Sequence, residues 1–241
     1  MRAELLKIRS MPTPRWCAIV LAVCFILGLV VVIWKGPGDG SDAADVAIGL
    51  PSVIASIIFG VWMVGVEFGQ NTLRLALTAD PRRGRLIANK LVVTVLVVTL
   101  VTAGLYLLSV PVYGLASSGH DGSIPTETVL RSGLATVVGN VAYAIVGAAF
   151  ALITASMAGG VTMALVFVFV IDTVTSIFSW TEDFAFGPAL SSITEEISGI
   201  RTEVFGDVTE KMNAQDIVVV IAWLVLLVGL GSLRLYRSEV K

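Results

Sequence analysis

Charge is what this sequence most lacks. Only 14% of its 241 residues are Asp, Glu, Lys or Arg, while 56% are hydrophobic, against roughly 25% and 45–50% in a soluble domain. With a mean hydropathy of +0.91, too few charged side chains remain to cover a soluble domain of this size, so the chain belongs in a membrane. Histidine is nearly missing as well. His120 stands alone in an acidic loop rich in Gly and Ser, and without a second ligand set it argues against a metal site. Cys17 and Cys24 are seven residues apart in one apolar run, about 10 Å on a helix, beyond disulfide reach. No Gly-x-x-x-x-Gly-Lys-Ser/Thr stretch occurs, so nothing in the chain can cradle the phosphates of ATP. The net charge of −2 brings no basic face and no nucleic-acid partner.

Long stretches without charge locate the membrane spans, since a helix needs roughly 20 apolar residues to cross. Runs at 16–34, 46–66, 91–115 and 217–234 each suffice. Between them, Ser132 to Ile171 is forty residues without a charge, about 60 Å as one helix. It therefore reads as two spans, 132–155 and 160–178, broken at Ser156-Met157-Ala158-Gly159-Gly160, where paired glycines weaken the helix. The fold expected is all-α: one transmembrane domain over 1–241 with six membrane-spanning helices, a cytoplasmic interfacial helix at 1–15, a cytoplasmic elbow at 67–90 and an outer amphipathic segment at 179–216. The first run is too long for the core of a signal peptide and lacks a small-residue cleavage site, so it reads as a retained helix.

Basic residues orient the spans. Arg2, Lys7, Arg9 and Arg15 precede the first span. Arg74, Arg82, Arg83, Arg85 and Lys90 follow the second, and Arg234, Arg237 and Lys241 follow the last. The alternate connections hold only Lys35, Arg131, Arg201 and Lys211. Both termini and the elbow are thus expected in the cytoplasm, with Asp39, Asp42, Asp45, Asp121, Glu127 and an acidic group from Glu182 to Asp216 crowding the other side.

The elbow, Glu67-Phe68-Gly69-Gln70-Asn71-Thr72-Leu73-Arg74-Leu75-Ala76-Leu77-Thr78-Ala79-Asp80-Pro81-Arg82-Arg83, is too long for a simple turn and has its own helix punctuation. Asn71 can cap a short helix over Thr72 to Thr78, and Asp80-Pro81 can open the next one. The stretch resembles the elbow of ABC-2 type transporter permeases, in which Glu-x-x-x-Gly/Asn-Thr-Leu-Arg precedes a Pro-Arg-Arg run and the third span. Glu67, Asn71, Thr72, Leu73, Arg74, Pro81, Arg82, Arg83 and Lys90 carry the likeness, and Asn71 stands where many members have glycine. Ala3-Glu4-Leu5-Leu6-Lys7-Ile8-Arg9 is similar to that family's N-terminal interfacial helix.

The resemblance implies the permease subunit of an ATP-binding-cassette exporter in a bacterial plasma membrane, moving a hydrophobic or amphipathic substrate by alternating access. It implies separate ATPase subunits as partners, which carry the ATP and Mg, and a second permease copy or homologue, because six spans make half of the usual core. Membrane lipid is the remaining partner, and no cofactor belongs to this chain. Glu67, Asn71, Leu73, Arg74, Leu77, Arg82 and Arg83 become the ATPase-coupling residues. Glu67 and Arg74 position the elbow, since a carboxylate at a helix exit is costly without a partner, while Leu73 and Leu77 pack it. For Arg82, Arg83 and Arg85 the plainer alternative to coupling is that they only anchor to anionic lipid and enforce topology. Two other classes stand beside this one: a non-transporting immunity or sensor subunit, and an intramembrane enzyme, for which the only histidine lies outside the spans.

Two polar residues within the spans are candidates for a substrate pathway. Asn140 falls in the fourth span and Asp172 in the outer half of the fifth; the plainer roles are an interhelical hydrogen bond for Asn140 and contact with headgroups or a wet vestibule for Asp172. Ala144, Gly147, Ala148, Ala151 and Ala155 allow a second helix to approach closely, within this chain rather than across a dimer seam. Pro51 and Pro111 interrupt the second and third spans. Leu190, Ile193, Ile197, Ile200, Val204, Val208 and Met212 recur at helical steps, an amphipathic stripe expected to lie on the outer face, cap a pathway or cover a dimer.

Overall fold

A computed structural model describes residues 12–35, 39–69, 83–118, 125–177, 181–199, 203–204, 207–208 and 212–237. It is a helical bundle. In chain order the helices are α1 (Pro12–Lys35), α2 (Asp39–Gly69), α3 (Arg83–Ser118), α4 (Thr126–Thr154), α5 (Met157–Val166), α6 (Asp172–Ile177), α7 (Phe186–Ser198) and α8 (Ala214–Arg237). A π-helical turn, Phe167–Ile171, joins α5 to α6 as one rod, and a single 3-10 turn, Glu182–Phe184, precedes α7. Five stretches are long and apolar enough to cross a membrane: Gly49–Gly69, Gly84–Pro111, Thr126–Thr154, Met157–Thr175 and Ala214–Arg237. The architecture is compatible with a multi-pass membrane protein. α1 covers the first apolar run and packs against α2 and α3. Exposed Ile19, Val23 and Ile26 on α1, Leu96, Leu100 and Leu107 on α3, and Val218, Ile221 and Val225 on α8 give the bundle an apolar outer surface, as lipid requires.

The forty-residue charge-free stretch breaks where a change of direction was expected, by a different device. Ala155 takes the left-handed conformation (φ 51°) and ends α4, and the Ser156 side chain accepts a hydrogen bond from the Gly159 amide at 3.3 Å to cap α5. Gly159 and Gly160 lie inside α5. Gly160 serves packing, since a Cβ there would come within 2.9 Å of the Ala151 Cα.

α4 is the central element, in contact with α2, α3, α5, α7 and α8. Its small residues make that possible. A Cβ on Gly60 of α2 would overlap the carbonyl oxygen of Ala144, and one on Gly147 would overlap that of Ile57, so the α2 and α4 backbones touch. Gly231 of α8 is also tightly packed, since a Cβ there would come within 2.6 Å of the Leu152 Cβ and 3.1 Å of the Ala149 carbonyl oxygen. Ala144, Ala148 and Ala151 are completely buried within the chain, where the expected close approach is made.

The outer stripe is helical only in part. α7 ends at Gly199 (φ 71°), whose amide closes on the Glu195 carbonyl at 2.8 Å. Beyond it the helical periodicity is not followed: Glu203–Val204 and Asp207–Val208 pair as an antiparallel two-stranded ladder, Glu203 opposite Val208 and Val204 opposite Asp207. A left-handed glycine at the helix end outweighs the periodicity of the side chains beyond it.

The α2–α4 contact yields a direct comparison. Gly60→Ala is expected to cost about 1–3 kcal/mol through forced separation of the two backbones. Gly104→Ala on α3, where a Cβ meets nothing within 4 Å, is expected to be neutral or to stabilise by up to about 1 kcal/mol. Thermal unfolding of the purified variants in detergent checks both, and equal midpoints for the two would refute the close-contact account.

Candidate functional site

The elbow end of the bundle, where α2 stops and α3 starts, carries a buried ion pair. Lys90 Nζ lies 2.8 Å from Glu67 Oε1, with the two side chains only 3% and 5% exposed. The ammonium also donates to the Met63 carbonyl at 2.9 Å, and the Thr94 hydroxyl donates to the Lys90 carbonyl at 2.9 Å. Glu67 is in the last turn of α2. A cation there neutralises the carboxylate, bonds the Met63 carbonyl one turn back from it, and lies near the end of α2 where the macrodipole is negative. The sequence predicted that Glu67 needs a partner but treated Lys90 as part of the elbow and its positive charge. The missed signal was a pair of opposite charges, each facing the apolar run of a neighbouring antiparallel helix.

The remaining coupling candidates divide by position. Asn71, Leu73, Arg74, Leu77 and Arg82, with the short helix expected over Thr72 to Thr78, lie outside the described residues. Arg83 is the first residue of α3. Gly84 comes next, against the Tyr236 hydroxyl of α8, so the C-terminal helix also reaches the elbow end.

Asn140 sits at the crossing of three helices, 1% exposed. Its Nδ2 donates to Thr102 Oγ1 of α3 at 3.3 Å, and its Oδ1 accepts from the Ser52 hydroxyl of α2 at 3.2 Å. Ser52 Oγ is also 2.8 Å from the Gly49 carbonyl, one turn back beside Pro51. Both ends of the amide are engaged, so this side chain ties α2, α3 and α4 together. One turn away, Thr136 Oγ1 is 2.9 Å from the Tyr106 hydroxyl, and the Phe25 and Tyr106 rings meet edge to face at 5.6 Å. A cleft of about 200 Å³ opens between α1, α2 and α3, lined by Arg15, Ala18, Ser56, Phe59, Val97 and Thr102 among others.

Asp172 is set apart from Asn140. It begins α6 directly after the π-helical turn, its own amide closing on the Phe167 carbonyl, and it is 9% exposed. Its Oδ1 accepts a hydrogen bond from the Gly187 amide at 2.8 Å. The residue before α7, Ala185, offers no capping side chain, so the cap comes from Asp172, fifteen residues earlier than Gly187.

This contact draws α7 into the bundle instead of laying it across the end. Phe186 is 1% exposed, its ring 5.9 Å from Tyr143 and 6.0 Å from Phe167; Phe167 in turn packs on Phe150 and Trp223. The Trp223 indole donates to the Phe184 carbonyl at 2.8 Å. Tyr143 is eleven residues before the end of α4, about 16 Å from the elbow end at 1.5 Å per residue. Thr194 lies beside Gly139, so α7 runs from mid-bundle toward the far end, with Phe186, Ala189 and Leu190 buried. Of the expected stripe, Leu190 and Ile193 join the core and Ile197 is half-buried.

Among the described residues no three His, Cys, Asp or Glu side chains converge on a metal position. Comparison with protein-family models, with curated proteins and with solved structures found no match.

Two measurements check these contacts. Lys90→Met leaves a buried carboxylate without its cation, and a loss of about 3–5 kcal/mol is expected; the double variant Glu67→Met/Lys90→Met should recover most of it. Additive losses in the double-mutant cycle would show that the two charges are not coupled. Asn140→Leu removes hydrogen bonds to two helices and should cost only about 0.6–1.7 kcal/mol, the range found for interhelical bonds in membranes.

Proposed function

We propose that this chain is the membrane-spanning subunit of an ATP-driven exporter, with α1 as a sixth span, both termini and the elbow in the cytoplasm, and a separate ATPase docking on residues 67–90. The observation that carries the reading is the Glu67–Lys90 pair. It joins the last turn of α2 to the second turn of α3, at the feet of the two helices that flank the docking segment. A push on an unclamped connection would be absorbed by fraying helix ends. With the feet clamped, displacement passes into the helices as rigid-body motion.

The Asn140 amide continues the same linkage. It ties α2 and α3 to α4 near mid-bundle, so a tilt of the clamped pair reaches α4 and, through it, α7. In this reading α7 is an outer gate, seated between α4 and α8 on the side away from the ATPase, and the substrate is hydrophobic or amphipathic. A second copy or a homologue completes the pathway, and the protein works in a bacterial plasma membrane.

The test begins with purification from native membranes in mild detergent and identification of co-purified proteins. An ATPase bearing a phosphate-binding loop is expected, with hydrolysis retained in lipid. Arg74→Ala and Leu73→Ala should lower transport-coupled hydrolysis about fivefold or more while expression is unchanged. A preparation that consistently lacks any ATPase, or elbow variants with full coupling, would reject the proposal.

A further inference from the structure

The tip of α7 combines three features that only make sense together. Its first turn needs an acceptor for its free amides, Ala185 supplies none, and Pro188 carries no N–H. Asp172 fills that need from another rod, with Gly187 donating to Oδ1 and the Phe186 amide alongside. Gly187 is also the residue that makes room, since a Cβ there would overlap Asp172 Oδ2. Finally, the π-helical turn ends at Ile171; the one-residue offset it introduces rotates the next helical segment by about 100°, which fixes the direction in which Asp172 projects.

Among the described residues no basic side chain pairs with Asp172. Its charge is balanced by amides and by the positive end of a helix dipole. That balance exists only while α7 is seated. If α7 withdraws, the carboxyl group must find water or take up a proton in place of the amides, because an unsolvated charge inside the bundle is prohibitive. Water that reaches Asp172 thus competes with the α7 amides for the same carboxyl group.

We propose that Asp172 is a latch: by capping α7 from the fifth span it holds that helix seated between α4 and α8, and release of the Asp172–Gly187 contact is the step that lets α7 move and water enter. Calling that movement the opening of a gate rests on the exporter reading; the latch does not.

The test uses the full chain in liposomes of phosphatidylethanolamine and phosphatidylglycerol, with Cys17→Ser and Cys24→Ser as background. Ala189→Cys places a reporter on the buried face of α7, and in a parallel preparation Ser109→Cys reports on the fully buried face of α3. A membrane-impermeant maleimide should label the α7 reporter slowly in the parent. Asp172→Ala and Gly187→Ala should each accelerate it roughly five- to tenfold with the α3 reporter unchanged. Because removing the carboxylate also removes the obstacle to a Cβ, Asp172→Ala/Gly187→Ala should label no faster than Asp172→Ala alone. Unchanged labelling in either single variant, a double variant showing the product of the two effects, or parallel acceleration at the α3 reporter would overturn the latch. Absence of an ATPase partner would leave every one of these rates untouched, so the two proposals fail separately.

Discussion

Backbone contact between α2 and α4 is the constraint on which the rest of the bundle depends. Helices held apart by ordinary side chains lie about 8–10 Å from axis to axis. Gly60 against Ala144 and Gly147 against Ile57 remove that spacer. In hydrocarbon, where helix association gains nothing from expelling lipid tails that are as apolar as the helices themselves, such close packing supplies much of the attraction. The same approach brings Ser52 within reach of Asn140 and sets Gly65 against Met157, at the start of the next helix. A bundle with a wider α2–α4 spacing would leave the Asn140 amide short of one partner and thus an unsatisfied polar group in its interior.

Given that close pair, the buried polar groups sort themselves by what each end of a helix requires. Lys90 answers a carboxylate and a carbonyl at the C-terminal end of α2; Asp172 answers amides at the N-terminal end of α7. Cation at the negative end and anion at the positive end is the arrangement the macrodipole favours. Asn140, which is neutral, occupies a mid-helix position where no dipole end is available. The three polar positions therefore differ in chemistry because they differ in where along a helix they act.

Much of this was legible in the sequence. Apolar runs placed the helices, because length against hydrocarbon thickness is a one-dimensional property. The spacing of Ala144, Ala148 and Ala151 announced a close contact, and Asn140 announced an interhelical bond. What the sequence did not yield was three-dimensional pairing. Lys90 looks like one more basic residue of a cytoplasmic connection until α3 is seen to start at Arg83 and carry it beside Glu67. Asp172 looks like an isolated intramembrane acid because its partner is a backbone amide, which no residue letter advertises. The stripe from Leu190 to Met212 keeps a helical period through a left-handed glycine; periodicity reports which faces are apolar, and says nothing about whether the backbone continues.

The insertion of α7 also explains why the rod formed by α5 and α6 needs an irregular turn. A regular α-helix from Met157 through Ile177 would turn Asp172 about 80° away from Ala164 and about 140° away from Phe167 and put Ile171 on their inward face, whereas the π-helical turn at Phe167–Ile171 shifts everything beyond it by about 100° and brings Asp172 round to that face. Phe167 then packs toward Phe150, Phe186 and Trp223, while Phe169, Val170 and Ile171 remain on the exposed surface. The turn thus lets one rod meet two demands, a lipid-compatible outer face and an acid pointed inward at a helix end. The cost is one poorer stretch of backbone hydrogen bonding, offset by the cap that Asp172 supplies. Segments in which a local irregularity is held only by a distant partner are the natural places for a helix rod to have two arrangements, and here that partner is α7, a core helix too short to cross the bundle.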